Sequence, residues 1–399
     1  MREMKYSIII LSLQILCLFN FLPLFGLSLL PKKGREPSLR ALRGKTIIVE
    51  DSNNFTCAPQ IPKEKRKVLY INAIGIEKYA TNLEQKYMSG EYYAMASWEH
   101  AIRQNGFLVD EVTFEEVLEI PETLLHEYHR IVLGCAYKDW KTKCSLHNDE
   151  EYLIKLSQKL RPIKAKVGSF YWWDHEEDEV PGYLGDDFFT PKQVLTPFDW
   201  QKSNTFLGFF PHFHITQNST NDATEDTLPL KKERIGLVLS KDGDFFDEQA
   251  LRVIDSLVQH NFTIHTTCKL HNCSMFLKRK GVVNHKKLTP TMYVKLMEES
   301  AFMLGIGNPI ISPSPIIAMA KGVPFLNPKR HVYHYQHPPL VKVGEPYVYN
   351  IEDFDNIADI IDKAEKAVEN PNKPFVPSDF DKANVIERTC RMLQRETFI

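Results

Sequence analysis

Phe302-Met303-Leu304-Gly305-Ile306-Gly307 is followed by Pro315-Ile316-Ile317-Ala318-Met319-Ala320-Lys321-Gly322 and then by Val323-Pro324-Phe325-Leu326. An apolar run of strand length ends in glycines, a short helix stops at Gly322, and a second apolar run resumes. That passage predicts two parallel strands joined by a helix. Upstream, Arg234–Ser240 reads as a buried strand, Asp247–His260 has helical spacing, Phe262–Thr267 returns as a strand, and Thr289 caps a helix through Ser300. Downstream, Asp355–Val368 is a long amphipathic helix. A similar series comes earlier: strands Lys67–Ala73, Phe107–Val112, Arg130–Gly134 and Lys164–Phe170, with helices Glu91–Gln104 and Glu151–Leu160. Strands alternating with helices imply parallel sheets covered on both faces. Two series therefore predict an α/β chain of two Rossmann-like domains facing a cleft, residues 64–200 and 201–350. The irregular stretch Tyr171–Trp200 separates them, and the hinge falls in 200–233.

The N-terminus carries a different signal. Ile8–Leu30 is apolar except for Ser12, Gln14, Asn20, Pro23, Gly26 and Ser28. About 20 apolar residues cross a bilayer, whereas a signal-peptide core is about 7–15. Residues 1–30 thus read as a cytoplasmic tail and signal-anchor, a transmembrane helix, and 31–63 as a polar stem. Gly26-Leu27-Ser28 leaves cleavage as the alternative. Asn54, Asn218, Asn261 and Asn272 each open an N-glycosylation sequon. Cys57, Cys135, Cys144, Cys268, Cys273 and Cys390 form an even set suited to disulfides in an oxidising lumen. The basic residues oppose that orientation, because Arg2 and Lys5 precede the span while Lys32, Lys33, Arg35, Arg40, Arg43 and Lys45 follow it. Sequons and cysteines together outweigh the charge bias and place the bulk of the chain on the lumenal side. A net charge of −2 gives no footprint for nucleic acid.

Chemistry concentrates around Gly305, Gly307 and Ser314. Glycines after a strand let backbone approach a ligand, and N–H groups at a helix start attract a diphosphate. A glycine turn after a strand is also common without any ligand. Asp242-Gly243-Asp244 mimics a metal-binding acidic pair, but an acidic strand-to-helix turn produces the same letters. His212-Phe213-His214 lacks a third ligand at a recognisable spacing, so no metal site is expected. Tyr171-Trp172-Trp173 suits sugar stacking and, equally, core packing.

The run Leu304–Pro309, with Pro313–Lys329, resembles the donor-site segment of glycosyltransferase family 18, the alpha-1,6-mannosylglycoprotein 6-beta-N-acetylglucosaminyltransferase V family. Asn204-Thr205-Phe206-Leu207-Gly208-Phe209, Gln336-His337-Pro338 and, more weakly, Lys241 with Phe245-Phe246 and Met392-Leu393-Gln394-Arg395 match in the same order. The resemblance implies a GT-B fold whose C-terminal helices, 351–399, return to the first domain. It also implies a UDP-GlcNAc donor, no cofactor or required metal, inversion at the sugar's C1, and a mannose of an N-glycan as acceptor of a beta-1,6 linkage. The protein would then be a single-pass type II Golgi membrane protein. In this reading Glu91 is the general base that takes the acceptor's proton. Lys329, and less firmly Lys241, neutralise the departing diphosphate. One position departs from the pattern. Ile317 stands where the family carries a glutamate that binds ribose hydroxyls, and an aliphatic side chain accepts no hydrogen bond. A catalytically inactive lumenal protein that binds glycan or another protein is therefore the alternative.

Overall fold

The computed structural model describes residues 61–71, 90–134, 150–170, 184–185, 187–199, 203–211, 232–240, 243–268, 273–276, 279–286, 288–306, 311–330 and 334–398. The N-terminal apolar segment, Asn54, Asn218, Asn272, Lys241, Asp242, Gly307 and the histidines 212 and 214 lie outside them. Among the described residues no helix is long and apolar enough to cross a membrane.

β1 (Lys67–Ile71) leads through α1 (Gly90–Gln104) to β2 (Leu108–Val112). Two short helices, α2 (Phe114–Glu119) and α3 (Glu122–Glu127), precede β3 (Arg130–Leu133), and α4 (Glu150–Leu160) precedes β4 (Val167–Phe170). β5 (Val194–Thr196) and β6 (Thr205–Phe206) complete a six-stranded parallel sheet in the order β2-β1-β3-β4-β5-β6. Every residue of β3 and β4 is buried, as expected where helices cover both faces.

The second sheet begins at β7 (Ile235–Val238), followed by α5 (Glu248–Gln259), β8 (Thr263–Thr266) and β9 (Val282–Asn284). Then come α6 (Pro290–Glu299), β10 (Phe302–Leu304), α7 (Ser314–Met319), β11 (Phe325–Pro328) and β12 (Val348–Ile351). Its order is β12-β11-β10-β7-β8-β9, the doubly wound Rossmann arrangement that reverses between its first and fourth strands. Side chains start the helices where the sequence places them: Asp247 accepts from the Ala250 N–H at 2.8 Å and Thr289 from the Met292 N–H at 3.3 Å. α8 (Ile357–Glu369) packs against the second sheet, and α9 (Lys382–Gln394) lies along α1 of the first.

Several boundaries differ from expectation. Arg161–Lys166 forms a 3-10 segment containing Pro162, so β4 starts only at Val167. β11 starts at Phe325 rather than Val323: the Val323 N–H closes the end of α7 on Ala318, and Pro324 has no N–H to pair. β5 lies within the stretch read as irregular, and β6 lies beyond residue 200. The first sheet thus extends through Phe206, and the chain passes to the second sheet after Pro211. Cys268 and Cys273 are joined in a disulfide, with 5.5 Å between their Cα atoms, and Cys390 is disulfide-bonded as well.

The carboxyl ends of the two sheets meet at an aromatic joint. Phe198, just beyond β5, stands edge-on to Phe209 at 5.7 Å, to Phe380 at 5.8 Å and to His337 at 5.2 Å. Phe209 completes the group, 5.0 Å from Phe380. All four are almost entirely buried. Substituting Phe209→Ala should lower unfolding stability by about 3–5 kcal/mol, since a large ring would leave a cavity where both sheets converge. Urea denaturation reads this, and a loss below about 1 kcal/mol would show that the joint contributes little.

Candidate functional site

Open parallel sheets bind ligands beyond their carboxyl ends, where the strand order reverses. In the second sheet that point lies between β7 and β10. The described segments bordering it are Leu239–Ser240 and Gly243–Phe246 after β7, Gly305–Ile306 after β10, and Lys329–Arg330 after β11. The sequence-derived residues Gly305, Ser314 and Lys329 fall into this region.

The structure changes what several of them do. Gly305 donates its N–H to the Leu326 carbonyl at 3.1 Å. A Cβ at that position would lie 2.5 Å from Gln336 Cγ and 2.7 Å from Phe325 Cζ. Glycine is therefore required there by protein packing, whatever approaches from the crevice. The start of α7 is not the reservoir of N–H groups the sequence suggested. The Ser314 N–H donates to Ser312 Oγ at 3.2 Å, Pro315 has none, and the Ile316 and Ile317 N–H groups both donate to the Pro313 carbonyl. The Ser314 hydroxyl accepts from the Tyr293 hydroxyl at 2.9 Å. Burial pushes Tyr293 well above an ordinary tyrosine pKa, so it stays a donor. An anion held in this crevice must accordingly be met by the turn after β10 and by cationic side chains.

Among the described crevice residues, Lys329 is an accessible cation. Its side chain is 38% exposed, with Nζ 3.8 Å from a Glu352 oxygen and 6.0 Å from the centre of the Tyr335 ring. Tyr335 also donates to Glu352; burial first, and then this carboxylate, push it up to about 12. Arg330 is enclosed, holding the Ile306 carbonyl and the Asp247 carboxylate at 2.7 and 2.6 Å. Ile317 is 3% exposed and belongs to the apolar core that joins the two sheets. Glu91 occupies the first turn of α1, the helix that follows β1 at the carboxyl edge of the first sheet.

Sequence reading assigned no role to the polar cluster beneath β11. Asn327 and His337 exchange two hydrogen bonds. The His337 N–H donates to Asn327 Oδ1 at 2.8 Å, and Asn327 Nδ2 donates to the His337 carbonyl at 3.2 Å. Asn327 Nδ2 also reaches Asn350 Oδ1 at 3.1 Å. The imidazole Nε2 lies 3.0 Å from the Ser312 carbonyl, which can only accept, so this nitrogen carries the proton. Burial lowers the His337 pKa from 6.5 to about 3, despite the opposing pull of Ser312. A neutral ring thus ties the segment before α7 to Phe198 of the first sheet.

The chain resembles glycosyltransferase family 18, whose model matches residues 171–338. That span contains all the crevice loops just described. The chain is 23% identical over 229 residues to human alpha-1,6-mannosylglycoprotein 6-beta-N-acetylglucosaminyltransferase A, covering 52% of this chain and 29% of the relative. To the corresponding Caenorhabditis elegans transferase it is 26% identical over 228 residues, covering 51% and 32%. The matched region therefore spans about a third or less of those relatives. Among solved structures, Anabaena HepE in complex with UDP and glucose aligns with a TM-score of 0.45 and 10% identity, covering 82% of this chain and 99% of that one.

Two outcomes follow for stability. Gly305→Ala should destabilise the protein by about 1–3 kcal/mol, because the core around Phe325 has no room for a methyl group. A denaturation midpoint equal to that of the native chain would refute the packing role. Because folding depresses the His337 pKa, its contribution is complete above about pH 6.5 and is lost as pH falls toward about 3. His100, lowered to about 4 chiefly by burial, acts in the same direction. Urea midpoints should fall between pH 7 and 5, and fall less steeply in His337→Gln; identical slopes would exclude His337 as a cause.

Proposed function

We propose that the chain is an inverting, metal-independent glycosyltransferase of GT-B architecture that takes UDP-GlcNAc and transfers N-acetylglucosamine to a mannose of an N-glycan. The observation carrying this reading is a coincidence of two independent lines. The family 18 match covers residues 171–338, and the same span supplies the loops after β7, β10 and β11 around the switch point of the second sheet.

The chemistry assigns one task to each sheet. Glu91, at the carboxyl edge of the first sheet, acts as the base: it takes the proton of the acceptor hydroxyl as that oxygen bonds to C1 of the sugar. The bond from C1 to the UDP oxygen breaks on the opposite face, so configuration inverts. UDP leaves with the electron pair, and Lys329, joined by Lys241, offsets its charge. The six lumenal cysteines and the four sequons are consistent with a type II protein of the Golgi membrane, held by its N-terminal helix.

One observation favours a second reading, a non-catalytic lumenal protein that binds glycan or another protein. Ile317 is buried among core side chains and offers no hydrogen bond to a ribose. Calorimetry and a transfer assay on the purified full-length chain, with a mannose-terminated N-glycan, separate the two. Transfer should persist in EDTA, fall by about 10²–10⁴-fold in Glu91→Gln, and require more UDP-GlcNAc in Lys329→Met. A folded native chain that neither binds UDP-GlcNAc nor transfers sugar would establish the non-catalytic reading.

A further inference from the structure

Two adjacent cations close β11, and their surroundings are opposite in kind. Lys329 is loosely placed beside the exposed Glu352. Arg330 keeps only 10% of its side-chain exposure. Its Nη1 donates to the Ile306 carbonyl at 2.7 Å, its Nη2 donates to Asp247 Oδ2 at 2.6 Å, and its guanidinium lies 5.2 Å from the centre of the Phe354 ring. The other oxygen of Asp247 is already committed, accepting from the Ala250 N–H at 2.8 Å as the cap of α5. One planar group therefore connects three segments that enter the crevice: the loop after β7 that ends in Asp247, the turn after β10, and the end of β11 itself.

We infer that Arg330 is a positioning residue for the donor crevice. Paired with Asp247, it fixes the turn after β10 against the start of α5, and it leaves Lys329 as the cation that meets a nucleoside diphosphate. The inference rests on the nucleotide-sugar reading for its ligand, but the link between the segments stands on geometry alone. Arginine suits the task because its fork reaches two acceptors in fixed directions, whereas a lysine ammonium on a flexible stem does not. The guanidinium lies beside an aromatic ring while its partner Asp247 stays 56% exposed, so salt reaches the carboxylate side of the pair.

Asp247→Asn is the informative variant. Asparagine is as good a helix cap as aspartate, so α5 keeps its start while Arg330 loses its counter-ion. Asp247→Ser, another capping residue, serves the same purpose should the asparagine variant not fold. Arg330→Lys keeps the charge and removes the fork. Two readouts on the full-length chain are taken together: UDP affinity by calorimetry, and amide hydrogen exchange of peptides covering 303–316 in the ligand-free protein. Arg330→Lys and Asp247→Asn should each weaken UDP binding about five- to twentyfold, and the double variant should be no weaker than the poorer single one, because both break one link. Exchange across 303–316 should rise in both, with β8 and α8 unchanged. Lys329→Met should weaken UDP binding without altering exchange, which a merely structural loss would not reproduce. Unchanged exchange in the two link variants, or fully additive losses of affinity, would overturn the inference. A native chain that binds no UDP yet shows the exchange rise would leave the Arg330 link standing and remove the donor reading instead.

Discussion

The two sheets depend on a hydrogen bond in which an indole has one acceptor and that acceptor has no freedom to move. Trp98, almost wholly buried on α1, donates its Nε1–H to the Gly208 carbonyl at 2.6 Å. Gly208 sits at a φ of +76°, and a Cβ there would lie 2.5 Å from Arg388 Nη2 and 2.6 Å from the Asp379 carbonyl. Arg388 in turn donates from Nε to the Leu207 carbonyl at 3.0 Å and lies 4.5 Å from the centre of the Phe206 ring. Helices α1 and α9 and the loop before α9 are thus fixed to the three-residue segment 206–208 at the end of β6. The next residue, Phe209, enters the aromatic joint with the second sheet. The crevice between the carboxyl edges takes its shape from this seam, because nothing bulkier than glycine fits where the seam is tightest.

The alternation of strand and helix was legible because long apolar runs and good caps coincide. β7, α5, α6 and β10 fall close to where Asp247, Thr289 and the surrounding periodicity put them. The strands β5, β9 and β12 were not read from the sequence; each short run is ended or interrupted by a polar residue, Thr196, Asn284 and Asn350, unlike the uniformly apolar β10. β6 is shorter still, and its pairing with β5 comes from tertiary packing rather than local pattern. At the site, the motif around Gly305 lies at the carboxyl edge of the second sheet, and its glycine has a packing reason of its own. The glycine that suggests close approach of a ligand is demanded by Gln336 and Phe325. Arg330 gave no signal of its own, and His337 entered only through the family resemblance of Gln336-His337-Pro338, with no role attached. An arginine beside a lysine at a strand end looks like surface charge. Only the fold brings Asp247, 83 residues away in sequence, to Arg330.

The chemistry of the crevice follows from which polar groups remain uncommitted. In many nucleotide-binding sheets the helix after the glycine turn supplies N–H groups to the phosphates. Here the first turn of α7 uses its N–H groups internally, and its second prolyl residue removes one more donor. On the proposed transferase reading, the stabilisation of a departing diphosphate would then shift from backbone dipoles to side-chain charge. That shift sets a requirement on geometry: a lysine on a flexible stem orders poorly and works best when the walls around it do not move. The enclosure of Arg330, the neutral His337 locked to Ser312, and the apolar packing of Ile317 all stiffen those walls without entering the crevice. Ile317 acquires a physical sense in this setting. A carboxylate at a 3% exposed position in the core would be costly unless a bound ribose satisfied it. An isoleucine removes that dependence on ligand and ties α7 to the core that spans both sheets. On the proposed donor reading, an isoleucine here offers a ribose no acceptor, and nucleotide recognition would rest on the diphosphate and base more than on the sugar hydroxyls between them.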